Sequence, residues 1–338
     1  MNLLNWRVFS MALLLAIAVA MPTVTKAQDA QAMNEISLGA SGSRTGGSTL
    51  SGGMTTGLGD TTGDLSGAAA TAGPEAAAFD GTSVWVATQF SNSVTRIRAS
   101  DGVVTGTYTV GKRPVALLYA ASSIWVANLL SNTVTRLNPG TGAVVATYNV
   151  GDGPGGLASD GTNIWVANRH SNNVTKLSPT GAVLGTFAVG KRPLGLAFAA
   201  NSIWVANNNS NSVTRLSLAG AVLGTYAVGR GPFGVAREGD SIWITNYFGK
   251  SVTKLRAADG FDLGTFKVGD GASGIVFDGT NLWIVNNGDS TVVKVSPSSG
   301  SIVTTYATGK GPFAVAFDGN RIWVPNFGSN SVSMTAAN

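Results

Sequence analysis

Ser202-Ile203-Trp204-Val205-Ala206-Asn207 leads through Asn208-Asn209 into Ser210-Asn211-Ser212-Val213-Thr214-Arg215, and this phrase decides the fold because the chain repeats it. Ser123-Ile124-Trp125-Val126-Ala127-Asn128 and Asn163-Ile164-Trp165-Val166-Ala167-Asn168 are close copies, each followed by Ser-Asn, a β-branched run and a basic residue. Seven of the eight tryptophans hold the same place, at 85, 125, 165, 204, 243, 283 and 323, which sets a period of 39 or 40 residues. A period of that length marks a chain built from repeated supersecondary units that bury their cores against one another.

The unit 153–191 shows the grammar. Gly155-Gly156-Leu157-Ala158 reads as a short strand that ends at Asp160-Gly161, a hairpin signal because glycine accepts positive φ without a steric penalty. Residues 164–168 make a second strand, 174–177 a third after the polar turn 169–172, and 183–189 a fourth after Pro179-Thr180-Gly181. Apolar residues at helical spacing are missing, and four short antiparallel strands per period predict a propeller blade. The expected fold is an all-β, seven-bladed β-propeller of four-stranded antiparallel blades. Alternation along strand two puts Ile, Val and Asn on one face and Trp and Ala on the other, so the tryptophans are expected between adjacent blades.

The seventh unit, 311–338, has three strands (313–317, 321–326 and 331–335), and the fourth must come from elsewhere in the chain. Residues 67–74 line up with 304–312 if one residue is skipped, and both run into Ala-Phe-Asp-Gly, at 78–81 and 316–319. Residues 65–72 are therefore expected to close the ring as an N-terminal outer strand.

The flanks carry different signals. Residues 1–27 follow the positive, apolar, small-residue order of a secretory signal peptide, and the apolar run 8–21 is short for a bilayer span. The mature protein is expected to be secreted or periplasmic, without a transmembrane anchor after cleavage. Residues 28–64, rich in Gly, Ser and Thr, read as a flexible linker, leaving 65–338 as the propeller.

Composition removes whole classes of chemistry. The chain has no cysteine and one histidine, which excludes disulfides, thiolate metal sites and a zinc site needing two imidazoles. Residues 73–338 carry 19 basic against 13 acidic residues, a balance of +6 that is too dilute for a nucleic-acid binder.

In a blade of this order, the turn from strand two to three and the link from strand four to the next blade share one end of the propeller, the candidate binding face. The links supply Lys112, Arg113, Lys191, Arg192, Arg230 and Lys310, together with Asp152 and Asp270; the turns supply Arg169, His170, Tyr247, Phe248 and Phe327. Basic residues gathered there would attract an anionic partner, and large aromatics at loop tips point to a ligand surface. These residues, the two aspartates aside, are the expected ligand-binding set, for an anionic envelope polymer, a glycan or a protein. The recurring cations Arg96, Arg136, Lys176, Arg215, Lys254 and Lys294 fall at one position in strand three and read as scaffold. The Asp-Gly pairs at 80, 160, 278 and 318 are isolated in turns and too scattered for calcium.

Gly-Pro-Phe-Gly-Val-Ala (231–236), Ile-Trp-Ile-Thr-Asn (242–246) and Ser-Val-Thr-Lys-Leu (251–255) resemble the YVTN and NHL-type bacterial β-propellers, and among them the streptogramin (virginiamycin B) lyase group. The resemblance covers 73–338. It implies the propeller fold, and for an enzyme of that group a magnesium ion with His and Glu residues on the propeller face. Here His170 is the single histidine, and the glutamates are Glu35, Glu75 and Glu238. Glu35 falls in the linker, Glu75 in the first strand and Glu238 beside the turn Gly239-Asp240, so no glutamate is expected near His170 on the face. The leading expectation is a monomeric, non-enzymatic binding or scaffolding module with no cofactor. The alternative is a virginiamycin B lyase-like enzyme that opens cyclic peptide-like substrates with magnesium and His170.

Overall fold

The computed structural model describes residues 31–38 and 73–337, and within them seven antiparallel sheets form the blades of an all-β propeller. Blade three is representative: Pro154–Ser159, Ile164–Asn168, Asn173–Leu177 and Val183–Ala188 pair in chain order from the channel outward. Proline can begin the inner strand because that strand is an edge, where a missing N–H breaks no ladder. Cross-strand partners Leu157↔Val166, Val166↔Thr175 and Thr175↔Thr186 keep one face of the blade in register from inner to outer strand.

The Asp-Gly turn between strands one and two does structural work. The Asp160 carboxylate accepts the N–H groups of Thr162 and Asn163 and, at 2.8 Å, the indole Nε1–H of Trp165. Asp80, Asp278 and Asp318 hold Trp85, Trp283 and Trp323 in the same way, and Glu238 accepts from Trp243 at 3.3 Å. Burial alone would raise the Asp160 carboxyl, but these N–H donors outweigh it and hold the group below its usual range.

Each of the seven repeat tryptophans is fully buried as a wedge against the next blade. Trp85 packs with Ile124, Val126 and Leu137, Trp165 with Ile203, Val205 and Leu216, and Trp323 closes the ring on Val84, Val86 and Ile97. An indole buries roughly 200 Å², on the order of 5 kcal/mol at about 25 cal/mol per Å². One side of the ring meets an outer-strand aromatic, as in Trp204–Tyr226 at 5.4 Å. A strand-three cation lies over the indole, for example Lys254 at 4.9 Å and Lys176 at 5.0 Å. The same ammonium groups donate to the following blade, Lys176 Nζ to the Leu218 carbonyl at 2.7 Å and Lys254 Nζ to the Pro297 carbonyl at 2.9 Å. These recurring cations are blade-to-blade ties.

The ring closes on a segment other than the one expected. Asn34–Ser37 pairs antiparallel with Ser331–Ala336 as the outer strand of blade seven, in the register Ile36↔Val332. That register matches Tyr108↔Val94 and Phe187↔Val174, so Ile36 stands where the other blades carry an outer-strand aromatic. Leu38 is 4% exposed and joins the Trp323 cluster, and its N–H donates to the Asn330 carbonyl. Residues 65–72, expected in this place, lie outside the described residues, and the place itself is taken. The reason is apolar surface: Ile36 and Leu38 bring two large side chains to the seam, whereas 67–72 offers mostly alanine and glycine. Residues 31–38 accordingly belong to the propeller and not to the linker assigned to 28–64. Gln31–Ala32 goes further and pairs in parallel with Tyr306 and Ala307 on the outer edge of blade six. The signal-peptide reading of 1–27 falls outside the described residues, among which no helix is long and apolar enough to cross a membrane.

Closure by this strand has a measurable consequence. Leu38→Ala is expected to destabilise the protein by about 2–4 kcal/mol in denaturant unfolding, as for a buried leucine. A chain lacking residues 28–38 should melt well below one lacking 43–64; equal melting temperatures would show that 34–38 does not hold the ring.

Candidate functional site

Seven equivalent positions ring one end of the central channel. At each, the first residue after strand two donates its N–H to the residue just before strand one. The pairs are Gln89→Gly73, Leu129→Arg113, Arg169→Gly153, Asn208→Arg192, Tyr247→Gly231, Asn287→Gly271 and Phe327→Gly311, at 2.8–3.0 Å. Link and turn therefore share one end of the propeller, as the strand order requires.

The accepting residue has positive φ in all seven blades: Gly73 (60°), Arg113 (56°), Gly153 (65°), Arg192 (54°), Gly231 (66°), Gly271 (70°) and Gly311 (63°). Glycine adopts this conformation freely, whereas a residue with a Cβ is strained by about 1–2 kcal/mol. Arginine stands at two of these places, and a repeat that accepts glycine in five blades has no structural need of it. Strain kept where the scaffold does not require it makes Arg113 and Arg192 candidates for a functional role.

Arg113 and Arg192 are joined at the mouth by Arg169 and Glu75 in a cavity of about 430 Å³ that opens into the channel. Beside Arg169 the inner strand of blade three begins Pro154-Gly155-Gly156. A Cβ on Gly155 would sit 3.4 Å from Arg169 Cδ, and one on Gly156 would lie 1.9 Å from the Leu194 carbonyl oxygen, inside the neighbouring strand. Arg113 Nε donates to Gln89 Oε1 at 2.6 Å. Arg169 Nε and Glu75 Oε2 are buried with no hydrogen-bond partner. At the same ring position other blades use the side chain to join their neighbour: Asn208 Nδ2 donates to the Pro232 carbonyl, Asn287 Nδ2 to the Pro312 carbonyl, and the Tyr247 hydroxyl to Asn287 Oδ1.

Burial pushes the Glu75 carboxyl up to about 7, against the opposing pull of Arg113 and then Arg169. Burial, followed by the like charge of Arg192, lowers the Arg169 guanidinium from its usual range, with Glu75 acting the other way. The mouth is thus a partly dry site with more positive charge than its one carboxylate can balance.

Across the mouth the wall is aromatic. Phe233 and Phe313 face each other at 6.4 Å with 27° between their planes, Phe233 meets Tyr247 at 6.0 Å, and Phe313 meets Phe327 at 6.0 Å. Phe90 packs on Phe327 with centroids 5.4 Å apart and the rings tilted by 51°.

Of the residues expected from sequence, the fold brings Arg113, Arg169 and Arg192 together in the cavity, and Tyr247 and Phe327 support its aromatic wall. Lys112, Lys191, Arg230 and Lys310 are exposed and outside it; their backbone segments form the outer ring, where Lys112, Lys191 and Lys310 N–H groups bond Ser131, Ser210 and Ser329. His170 is exposed and covers Gly153, and Phe248 is 60% exposed. Glu75 is a correction, because the sequence reading placed it in the first strand, away from the face, and the structure puts it inside the mouth. Phe233 and Phe313 were missed; the signal was the repeat itself, since both follow the proline that starts strand one, where other blades carry Val, Leu, Gly, Glu or Ser. Asn128, Asn207 and Asn286 are not site residues: they are buried at the ends of strand two, and Asn128 and Asn207 donate to strand-three Thr135 and Thr214.

Solved structures share this fold. A streptogramin B lyase superimposes with a TM-score of 0.69 at 17% identity, over 79% of this chain and 94% of its own. Virginiamycin B lyase from Staphylococcus aureus gives 0.70 at 19% identity, over 79% and 96%. Hydrazine synthase of Kuenenia stuttgartiensis gives 0.73 at 19% identity, over 82% and 99%. No family model matches the chain, and no curated protein matches its sequence. At such identities the likeness establishes architecture alone.

The lyase resemblance implies magnesium, and the side chains here do not fit it. Among the described residues no three of His, Asp and Glu gather closely enough to hold a metal ion. Glu238 is engaged with Trp243 and Lys254, and Glu35 lies on the outer strand of blade seven.

Two outcomes are expected. Glu75 has a raised folded pKa, so its contribution to stability is present below about pH 4.5 and is lost as pH rises through about 7. Glu75→Gln should therefore gain stability over the parent by on the order of 2–3 kcal/mol between pH 5 and pH 8.5 in urea unfolding; a constant difference would mean that Glu75 is not desolvated. Arg192→Gly should leave stability unchanged or raise it by up to about 1 kcal/mol, the strain being relieved. A clear loss would give Arg192 a structural role.

Proposed function

We infer that this chain is a non-enzymatic binding module, acting outside the cytoplasm as a monomer, that takes the acidic group of an anionic ligand at the channel mouth. The observation that carries the reading is the convergence of Arg113, Arg169 and Arg192 on one cavity around a single carboxylate, with Arg169 Nε buried and unpartnered. A guanidinium presents a planar fork of donors that matches a carboxylate or phosphate, and partial burial strengthens such a bond over one in water. The strain at Arg113 and Arg192 supports the same reading, because it preorganises two of the cations.

Glu75 offsets part of that charge and competes with the ligand for the same guanidinium groups. The exposed Lys112, Lys191, Arg230 and Lys310 extend the positive field around the face and would steer an acidic polymer or glycan toward it. Being exposed, they are screened over about 8 Å at physiological ionic strength and add little to the bound state.

Calorimetric titration with benzoate, against neutral benzamide, tests the reading. Benzoate should bind more tightly than benzamide, weaken with added salt, weaken roughly tenfold or more in Arg169→Ala, and change less than about twofold in Lys191→Ala. Glu75→Gln should tighten benzoate. Equal binding of acid and amide, or indifference to Arg169→Ala, would overturn the proposal.

A further inference from the structure

The arginines occupy one arc of the mouth, and the rest of the cavity is of a different kind. Below the rim its side chains are Leu117, Leu157, Leu196, Val235, Ile275 and Val315, with main chain between them. Apart from Glu75 and the three arginines, no polar side chain lines it. Phe233 and Phe313 stand across from the cations with their rings nearly parallel. A cavity of about 430 Å³ is of small-molecule size, and pockets of this kind bury an apolar body while a few polar groups fix its orientation.

Resting on the anion-binding reading above, we propose that the ligand is an amphiphilic acid of small-molecule size: a carboxylate joined to a flat, ring-containing apolar body. The carboxylate lies against Arg113, Arg169 and Arg192. The body fills the channel mouth against Phe233 and Phe313. A sugar acid fits the first half of this arrangement and not the second, because its hydroxyls would leave water for a wall of leucine, valine and phenylalanine side chains. Inorganic anions and short acids fit only the arginine arc. Phe233 thereby becomes the residue that reads the body of the ligand, as Arg169 reads its charge.

Titration calorimetry on the full mature chain with four probes separates the parts: 2-naphthoate, 2-naphthalenemethanol (the same body without charge), acetate (the charge without the body) and trigalacturonate (an acidic glycan). The expected result is 2-naphthoate tightest, by at least tenfold over each of the other three. Phe233→Leu, which keeps an apolar side chain and removes the ring, should weaken 2-naphthoate about fivefold or more and leave acetate unchanged. Arg169→Ala should weaken both acids and leave 2-naphthalenemethanol unchanged. Circular dichroism of both variants verifies that they are folded. If 2-naphthoate and 2-naphthalenemethanol bind equally, the anion reading itself falls. If the acids depend on Arg169 but trigalacturonate or acetate equals 2-naphthoate, or Phe233→Leu has no effect, the anion site stands and the amphiphile is overturned.

Discussion

The structure depends on one repeated contact, the indole of each blade wedged against the Ile and Val side chains of the next. A single four-stranded blade cannot bury its own two faces, so no blade is stable alone. The indole solves this with a large apolar area, and in six of the seven blades its one polar atom is tied off at the edge, by Asp160 for Trp165 and by Asp318 for Trp323, the exception being Trp204. The cation on strand three covers the indole and then bonds the neighbouring blade, so a charge recurring every 40 residues is part of the packing. The cation recurs in six blades and is Met334 in the seventh, while the indole wedge recurs in all seven and closes the ring because Trp323 finds Val84, Val86 and Ile97 of blade one.

A ring built from one repeat has a uniform face unless particular positions depart from the pattern, and here the departures coincide. The positive-φ link is glycine in five blades and arginine in two. The turn residue that elsewhere joins neighbouring blades is, in blade three, an arginine whose Nε has no partner. The second position of the inner strand, which elsewhere carries a side chain, is Gly155 in that same blade, next to Arg169. Opposite stand Phe233, on the inner strand of blade five, and Phe313, in the stretch leading into the inner strand of blade seven, which is Ala316–Phe317 and so shorter than the expected 313–317. Each departure weakens or leaves unused some element of the scaffold, and together they build a mouth with a cationic arc and an aromatic wall.

The closure of the ring is coupled to the same face. In a regular blade pair four residues, such as 110–113, lead from outer strand to inner strand. Between blade seven and blade one that connection is 38–73, whose described ends, Leu38 and Gly73, sit at the outer seam and beneath Phe90 and Phe327. The seam is held by Ile36 and Leu38 within the Trp323 cluster, and by Arg321, whose guanidinium donates to the Ala99 carbonyl of blade one.

The sequence by itself determined the number of blades, the strand order, the face each tryptophan occupies and the end at which links and turns meet. All of these follow from period and alternation, which are local and repeat seven times. The arginines of the face, with Tyr247 and Phe327, were read for the same reason, as substitutions at repeat positions, whereas Phe233 and Phe313 carried the same signal and were missed. What only the tertiary structure decided depends on distance between parts of the chain that sequence order does not relate. Glu75 lies on blade one, 94 residues from Arg169 on blade three, and the channel brings both to one cavity. The closing strand was hidden because one copy of the outer-strand phrase is degenerate: Ile36-Ser37-Leu38-Gly39 follows Phe187-Ala188-Val189-Gly190 with isoleucine in place of the aromatic. A short segment with two large apolar residues reads as linker in isolation, and becomes a strand only because an unpaired edge and an unfilled seam await it.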